Sequence, residues 1–156
     1  MIEFIQWKGT TIGIFLPRDH SPSKTEFVTP LDEPLQLGIG VFKQGARVEP
    51  HRHVGSPAQV TEFQEFISLR RGLAMAQVFD PEGGLLKEIE MRPGDALLLL
   101  RGGHAFHFLE ETELLEVKQG PYLGRENMKQ ALGKPAAHEI SVEAPVAPIP
   151  DLPASL

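Results

Sequence analysis

An all-β, antiparallel sandwich or barrel is the fold class this sequence predicts, on three observations. Glycine (15) and proline (14) together make up about a fifth of the 156 residues. That proportion suits short strands joined by tight turns and suits long helices badly. Apolar residues recur with a period of two along much of the chain, the spacing of a strand with one buried face. Turn-forming clusters break these runs at short intervals, which gives about nine or ten strands. The length suits one domain, 1–134, with a core that needs no covalent staples.

The elements follow in order. After a mixed opening, Ile12–Leu16 reads as a short apolar strand and the Pro17–Pro22 stretch as a loop. Lys24–Thr29 alternates weakly, as an edge strand would. Leu35–Lys43 places Leu35, Leu37, Ile39 and Val41 on one parity and Gly38 and Gly40 on the other. Glycine there suits close backbone approach or a bulge. Arg47–His53 is the next strand, and a loop follows from Val54 to Val60. Glu62–Arg70 alternates strongly, with Phe63, Glu65, Ile67 and Leu69 on one face. Glu62, Gln64, Ser68 and Arg70 on the other face read as solvent-facing.

Leu73–Phe79 pairs with that strand through Arg71-Gly72, and Asp80–Gly84 turns. Leu85–Met91 alternates, Pro93-Gly94-Asp95 turns, and Ala96–Leu100 is a buried strand. Arg101-Gly102-Gly103 turns again, before strands at His104–Leu109 and Leu114–Lys118. A short C-terminal helix is expected at Arg125–Leu132, stopped by Gly133. Five prolines among residues 135–156 then mark a Pro/Ala-rich tail.

Composition removes several function classes. With no cysteine, a disulfide framework, a thiolate zinc site, an iron–sulfur cluster and a cysteine nucleophile are excluded. A net charge of −6 argues against a phosphate-tracking surface, so no nucleic-acid partner is expected. The opening residues lack a basic segment followed by a long apolar one. The longest apolar run, Ala96–Leu100, is far too short to span a bilayer. A cytoplasmic chain without a membrane partner is the expectation. Any metal chemistry must use the six histidines with carboxylates.

His51 and His53 are separated by one residue, and strand alternation puts both imidazoles on one face. Alone, such a pair is common. Its surroundings are more specific. Gly45, five residues, His51, one residue, His53, then Glu65, six residues, Gly72 forms one pattern. Pro93-Gly94-Asp95, an apolar strand, Gly102-Gly103 and His104-Ala105-Phe106 form a second. Together they resemble the two motifs of the cupin family, over Gly45 to Phe106 and on through the strand Leu114–Lys118.

The resemblance implies an antiparallel jelly-roll barrel, the double-stranded β-helix of cupins. It also implies a divalent transition metal (Fe, Mn, Ni, Co, Cu or Zn) held by three histidines and one glutamate. Imidazole with one carboxylate suits those ions, and ligands from different strands converge at one mouth of a barrel. The family pattern carries over onto His51, His53, Glu65 and His104. Two departures leave alternates. Eleven residues separate His53 from Glu65 and eight separate it from Glu62, where the family gap is shorter. Glu65 is preferred for its parity with Ile67 and Leu69. At the second motif Leu100 replaces a proline and a single residue separates Gly102 from His104, so His107 is the reserve.

Glu49 shares parity with the two histidines and is a candidate to orient an imidazole N–H. Arg47 and Arg101 are candidates for holding an anionic substrate. His20 and His138 receive no role; Phe106, Phe108 and Tyr122 read as packing. Three histidines and one glutamate leave about two octahedral positions for substrate and for water or O₂. The resemblance therefore implies a small metalloenzyme, of the oxygenase or isomerase/epimerase class. Its substrate would be a small polar or anionic metabolite, with sugar metabolism one setting. The alternative is a non-catalytic small-molecule-binding or sensor module with a structural metal. A homodimer is expected, with Ile2–Trp7 and the tail available for its interface.

Overall fold

A computed structural model describes residues 1–55, 59–121 and 129–132. Among the described residues there are ten strands: β1 (Glu3–Trp7), β2 (Thr10–Leu16), β3 (Glu26–Phe27), β4 (Gly38–Ile39), β5 (Glu65–Arg71), β6 (Ala74–Phe79), β7 (Leu85–Met91), β8 (Ala96–Leu99), β9 (Gly103–Phe108) and β10 (Glu113–Lys118). No helix occurs among the described residues.

All pairings are antiparallel. One sheet runs β1-β2-β8-β5-β10, a second β7-β6-β9, and β3-β4 form a small ribbon. The two larger sheets face one another across a single core. Ile5, Ile12, Ile67, Leu69, Leu97 and Leu99 come from the first; Ala74, Ala76, Val78, Ile89 and Met91 come from the second. The architecture is a β-sandwich. The period-two pattern explains it, since each strand buries alternate residues on one face.

β8 differs, because it is buried on both faces. Leu97 and Leu99 enter the main core, while Leu98 and Leu100 meet Ile14 in a second cluster. Val28, Leu35, Leu37 and Phe66 pack on that cluster, so the 28–37 segment roofs the outer face of the first sheet. A strand covered on both sides must be apolar throughout, which accounts for the unbroken Ala96–Leu100 run.

Several expectations are corrected. Glu3–Trp7 is a strand rather than an unassigned opening, and it is engaged with β2 of its own chain. The link is a two-residue turn, Lys8-Gly9, with φ of +49° and +80°, the conformation of a tight hairpin whose twist matches its strands. The Leu35–Lys43 strand shrinks to Gly38–Ile39. Its glycines do allow close approach: a Cβ on Gly38 would lie 3.0 Å from the Phe27 ring. Arg47–His53 forms no strand. Pro50 offers no N–H to a ladder, and the segment is exposed. Gln64 is buried rather than solvent-facing, because the 28–37 roof covers its side of the sheet.

The helix expected at Arg125–Leu132 lies largely outside the described residues, and 129–132 are not helical. Tyr122, Gly133 and the 135–156 tail also lie outside them, as do residues 56–58 of the Val54–Val60 loop.

The Pro93-Gly94-Asp95 turn has a clear physical basis. Asp95 is buried; its Oδ1 accepts from the Arg18 N–H and its Oδ2 from the Arg92 N–H, both at 2.7 Å. One carboxylate thus ties the β7–β8 turn to the chain leaving β2. Substituting Asp95→Ala leaves two N–H groups without acceptors and is expected to cost about 2–4 kcal/mol. A urea-unfolding midpoint within error of the parent would contradict this.

Candidate functional site

β5, β9 and β10 bring their polar residues to one end of the sandwich. Glu65 opens β5 on the parity of Ile67 and Leu69 and is only 5% exposed. Antiparallel pairing places it opposite Leu99 of β8 and Lys118 of β10. His104 is the second residue of β9 and sits opposite Val78 of β6. Its Nε2 lies 3.2 Å from Glu65 Oε2. Lys118 Nζ donates to Glu65 Oε1 at 3.3 Å and also to Glu116. His104 continues into an aromatic row, edge-to-face with Phe106, which stacks on Phe108. All three share one parity of β9.

Glu65, His104 and Lys118 line a cavity of about 630 Å³, whose walls include Glu62, Leu99 and Arg101. That volume suits a small metabolite. Burial pushes the Glu65 carboxyl above its ordinary value, and the Glu116 carboxylate adds to this against the opposing Lys118 ammonium. Burial likewise pushes the His104 imidazole down, reinforced by the Lys129 ammonium and outweighing Glu116. Burial also raises Glu116, but its hydrogen bond with Lys118 prevails and leaves it lowered. Burial lowers Lys118, yet the bonds to Glu116 and Glu65 prevail and leave it raised. The site thus favours a neutral imidazole, the form that ligates a metal or accepts a proton. A perturbed carboxyl and imidazole in contact inside a cavity are a functional-site signature.

The His104 shift has a consequence for stability. Above pH 6.5, its ordinary value, the imidazole is neutral in both folded and unfolded chains. As pH falls, the unfolded chain takes up this proton first, so the contribution of His104 to stability declines. In metal-free protein, urea unfolding from pH 7.5 to 5.5 should show a smaller loss of stability for His104→Gln than for the parent. Equal slopes would contradict the burial of this imidazole.

The other expected ligands lie elsewhere. His51 and His53 are exposed and outside any strand, with ring centroids 5.2 Å apart. His51 Nδ1 is 2.8 Å from the Glu49 carbonyl oxygen. A carbonyl only accepts, so Nδ1 is the donor in this contact. The contact from Glu49 runs through its backbone carbonyl, and the residue is exposed. Among the described residues no three His, Asp or Glu side chains group closely enough to hold a metal ion. Glu65 and His104 form one donor pair, and His51 and His53 another.

The alternates are placed plainly. Glu62 is exposed at the cavity rim, on the parity opposite Glu65. His107 is exposed, on the parity opposite His104. Arg101 is engaged: its Nη2 donates to both Glu33 oxygens, at 2.8 and 3.1 Å, and its Nη1 to the Thr11 carbonyl. Arg47 is exposed and has no ion pair among the described residues. His20, given no role, contacts Glu26 at 2.6 Å.

Lys118 and Glu116 were not foreseen. Their signal was the alternation of β10, in which Leu114, Glu116 and Lys118 share the parity of a residue packed on the main core. No family model, no curated protein and no solved structure matches the chain. Among the described residues no helix is long and apolar enough to cross a membrane.

Proposed function

We propose that the chain is a cupin-type β-barrel metalloenzyme that acts on a small polar or anionic metabolite in the cavity around Glu65 and His104. One observation carries this reading. Two residues 39 positions apart in the sequence meet at 3.2 Å at the floor of a cavity, and both match ligand positions of the family pattern. Their chemistry fits a divalent transition ion. One carboxylate oxygen and one neutral imidazole nitrogen side by side make two donors of the type such ions prefer. His51 and His53 supply two further imidazoles, both exposed. The full set requires the two pairs to meet.

A bound ion would supply Lewis acidity to a substrate oxygen. The chain's own groups do the rest. Lys118 neutralises charge at Glu65 Oε1 and holds that carboxylate in place. Leu99 gives one side of the cavity an apolar wall.

A second reading is favoured by the Lys118 contact, because an ammonium on Glu65 Oε1 weakens that carboxylate as a proton acceptor. It is a non-catalytic binding or sensor barrel with a structural metal. Turnover separates the two. Metal-reconstituted protein should consume O₂ with Fe(II) and a panel of small carboxylic acids, or interconvert nucleotide-sugars. Saturable ligand binding with no turnover across both panels would favour the binding module.

A further inference from the structure

Glu65 and Lys118 stand directly opposite one another on the β5–β10 ladder, so their side chains leave the sheet on one face as neighbours. The Glu65 carboxylate is divided between two partners. Its Oε2 lies 3.2 Å from His104 Nε2, and its Oε1 accepts from Lys118 Nζ at 3.3 Å. Glu116, two residues before Lys118, shares its face of β10, and its Oε1 accepts from the same ammonium. One cation therefore serves two carboxylates in different surroundings, for Glu65 is buried and Glu116 is exposed.

A carboxylate as buried as Glu65 needs a positive partner, because an unpaired buried charge is costly. Lys118 meets that need from within the chain. A divalent ion drawn to the Glu65–His104 donor pair would meet the same need, and it would share the carboxylate with an ammonium already bonded to it. Two positive groups on one carboxylate repel, most strongly where water is scarce. Glu116 moderates this repulsion, because it draws the same ammonium from the solvent side.

We propose that Lys118 is a built-in competitor of the metal. Its ammonium holds the Glu65 carboxylate in place and lowers the affinity of the Glu65–His104 pair for a divalent ion, and Glu116 limits that loss by drawing the ammonium. Lys118 and Glu116 are thus positioning residues that set how tightly an ion is held. This role rests on the metal reading proposed above.

Two measurements on the same full-length variants test it: Co(II) affinity by competition with a chromogenic chelator, and urea unfolding of the metal-free chain. Lys118→Gln removes the charge but keeps a donor for Glu65. It should bind Co(II) about tenfold more tightly than the parent, while its metal-free form unfolds at lower urea. These opposite signs mark competition; a residue that only shapes the site would lose affinity and stability together. Lys118→Met should show the same gain and stands in where the glutamine variant does not fold. Lys118→Arg, which keeps the charge, should bind no more tightly than the parent. Glu116→Gln should weaken binding in the parent and weaken it less in Lys118→Gln, where no ammonium is left to draw. Unchanged or weaker binding by cooperatively unfolding Lys118→Gln and Lys118→Met chains, beside a parent that binds, would overturn the competition and leave the metal reading standing. Equal losses from Glu116→Gln in both backgrounds would overturn the role of Glu116. Absence of Co(II) binding in the parent and in both neutral variants would overturn the competition and the metal reading together.

Discussion

Glu65→Ala is expected to lower affinity for a first-row divalent metal by about 10–100-fold or more, and Glu62→Ala to leave it unchanged. Losing even a group that only orients a ligand commonly costs that much, and a ligand costs at least as much. The contrast follows from strand parity. Glu65 points inward with Ile67 and Leu69 and reaches His104 at 3.2 Å, while Glu62 is exposed at the rim. The same logic separates the two histidines of β9. His104→Ala should reproduce the loss and His107→Ala should not, because His107 is exposed on the opposite parity. Competition with a chromogenic chelator reads all four variants. A loss on Glu62→Ala with none on Glu65→Ala would reverse the assignment.

The largest expected effect on stability is at Leu97. It is fully buried at the centre of β8, opposite Phe15 on one side and Ile67 on the other. It packs in the core shared by both sheets. Leu97→Ala removes its transfer energy and leaves a cavity between strands that are held in register, so it should cost about 3–5 kcal/mol. A domain of this kind has only about 5–15 kcal/mol in total. The control is Leu115→Ala on β10, a half-exposed leucine, expected to change stability by no more than about 0.5 kcal/mol. Urea unfolding followed by tryptophan fluorescence at Trp7 reads both. Similar costs at the two positions would contradict the placement of the core.

What was legible in the sequence was whatever alternation alone decides. The strands from Glu65 to Lys118 stand within three residues of their expected bounds, the largest change being Glu62–Arg70 shortening to Glu65–Arg71, because each has one face committed to a core. The inward direction of Glu65 followed from the same parity. Where a segment's fate depends on a partner, the sequence was a poorer guide. Leu35–Lys43 alternates well, yet only Gly38–Ile39 pairs, and Leu35 and Leu37 are spent roofing the first sheet. That roof also buried Gln64, which parity alone assigned to solvent. The β1–β2 hairpin was hidden because Lys8 takes a positive φ, a conformation that residue names seldom announce. Lys118 and Glu116 escaped notice because their pairing with Glu65 depends on which strand lies beside β5.

The claim that Glu65 and His104 anchor a metal centre is tested most directly by elemental analysis. Tag-free protein is stripped with chelator, reconstituted with Fe(II), Mn(II), Co(II), Ni(II), Cu(II) or Zn(II), and desalted. The account predicts about one tightly held ion per chain for at least one of these metals, lost when Glu65→Ala and His104→Ala are combined. No retained metal with any of the six, or an equal content in the combined variant, would contradict it.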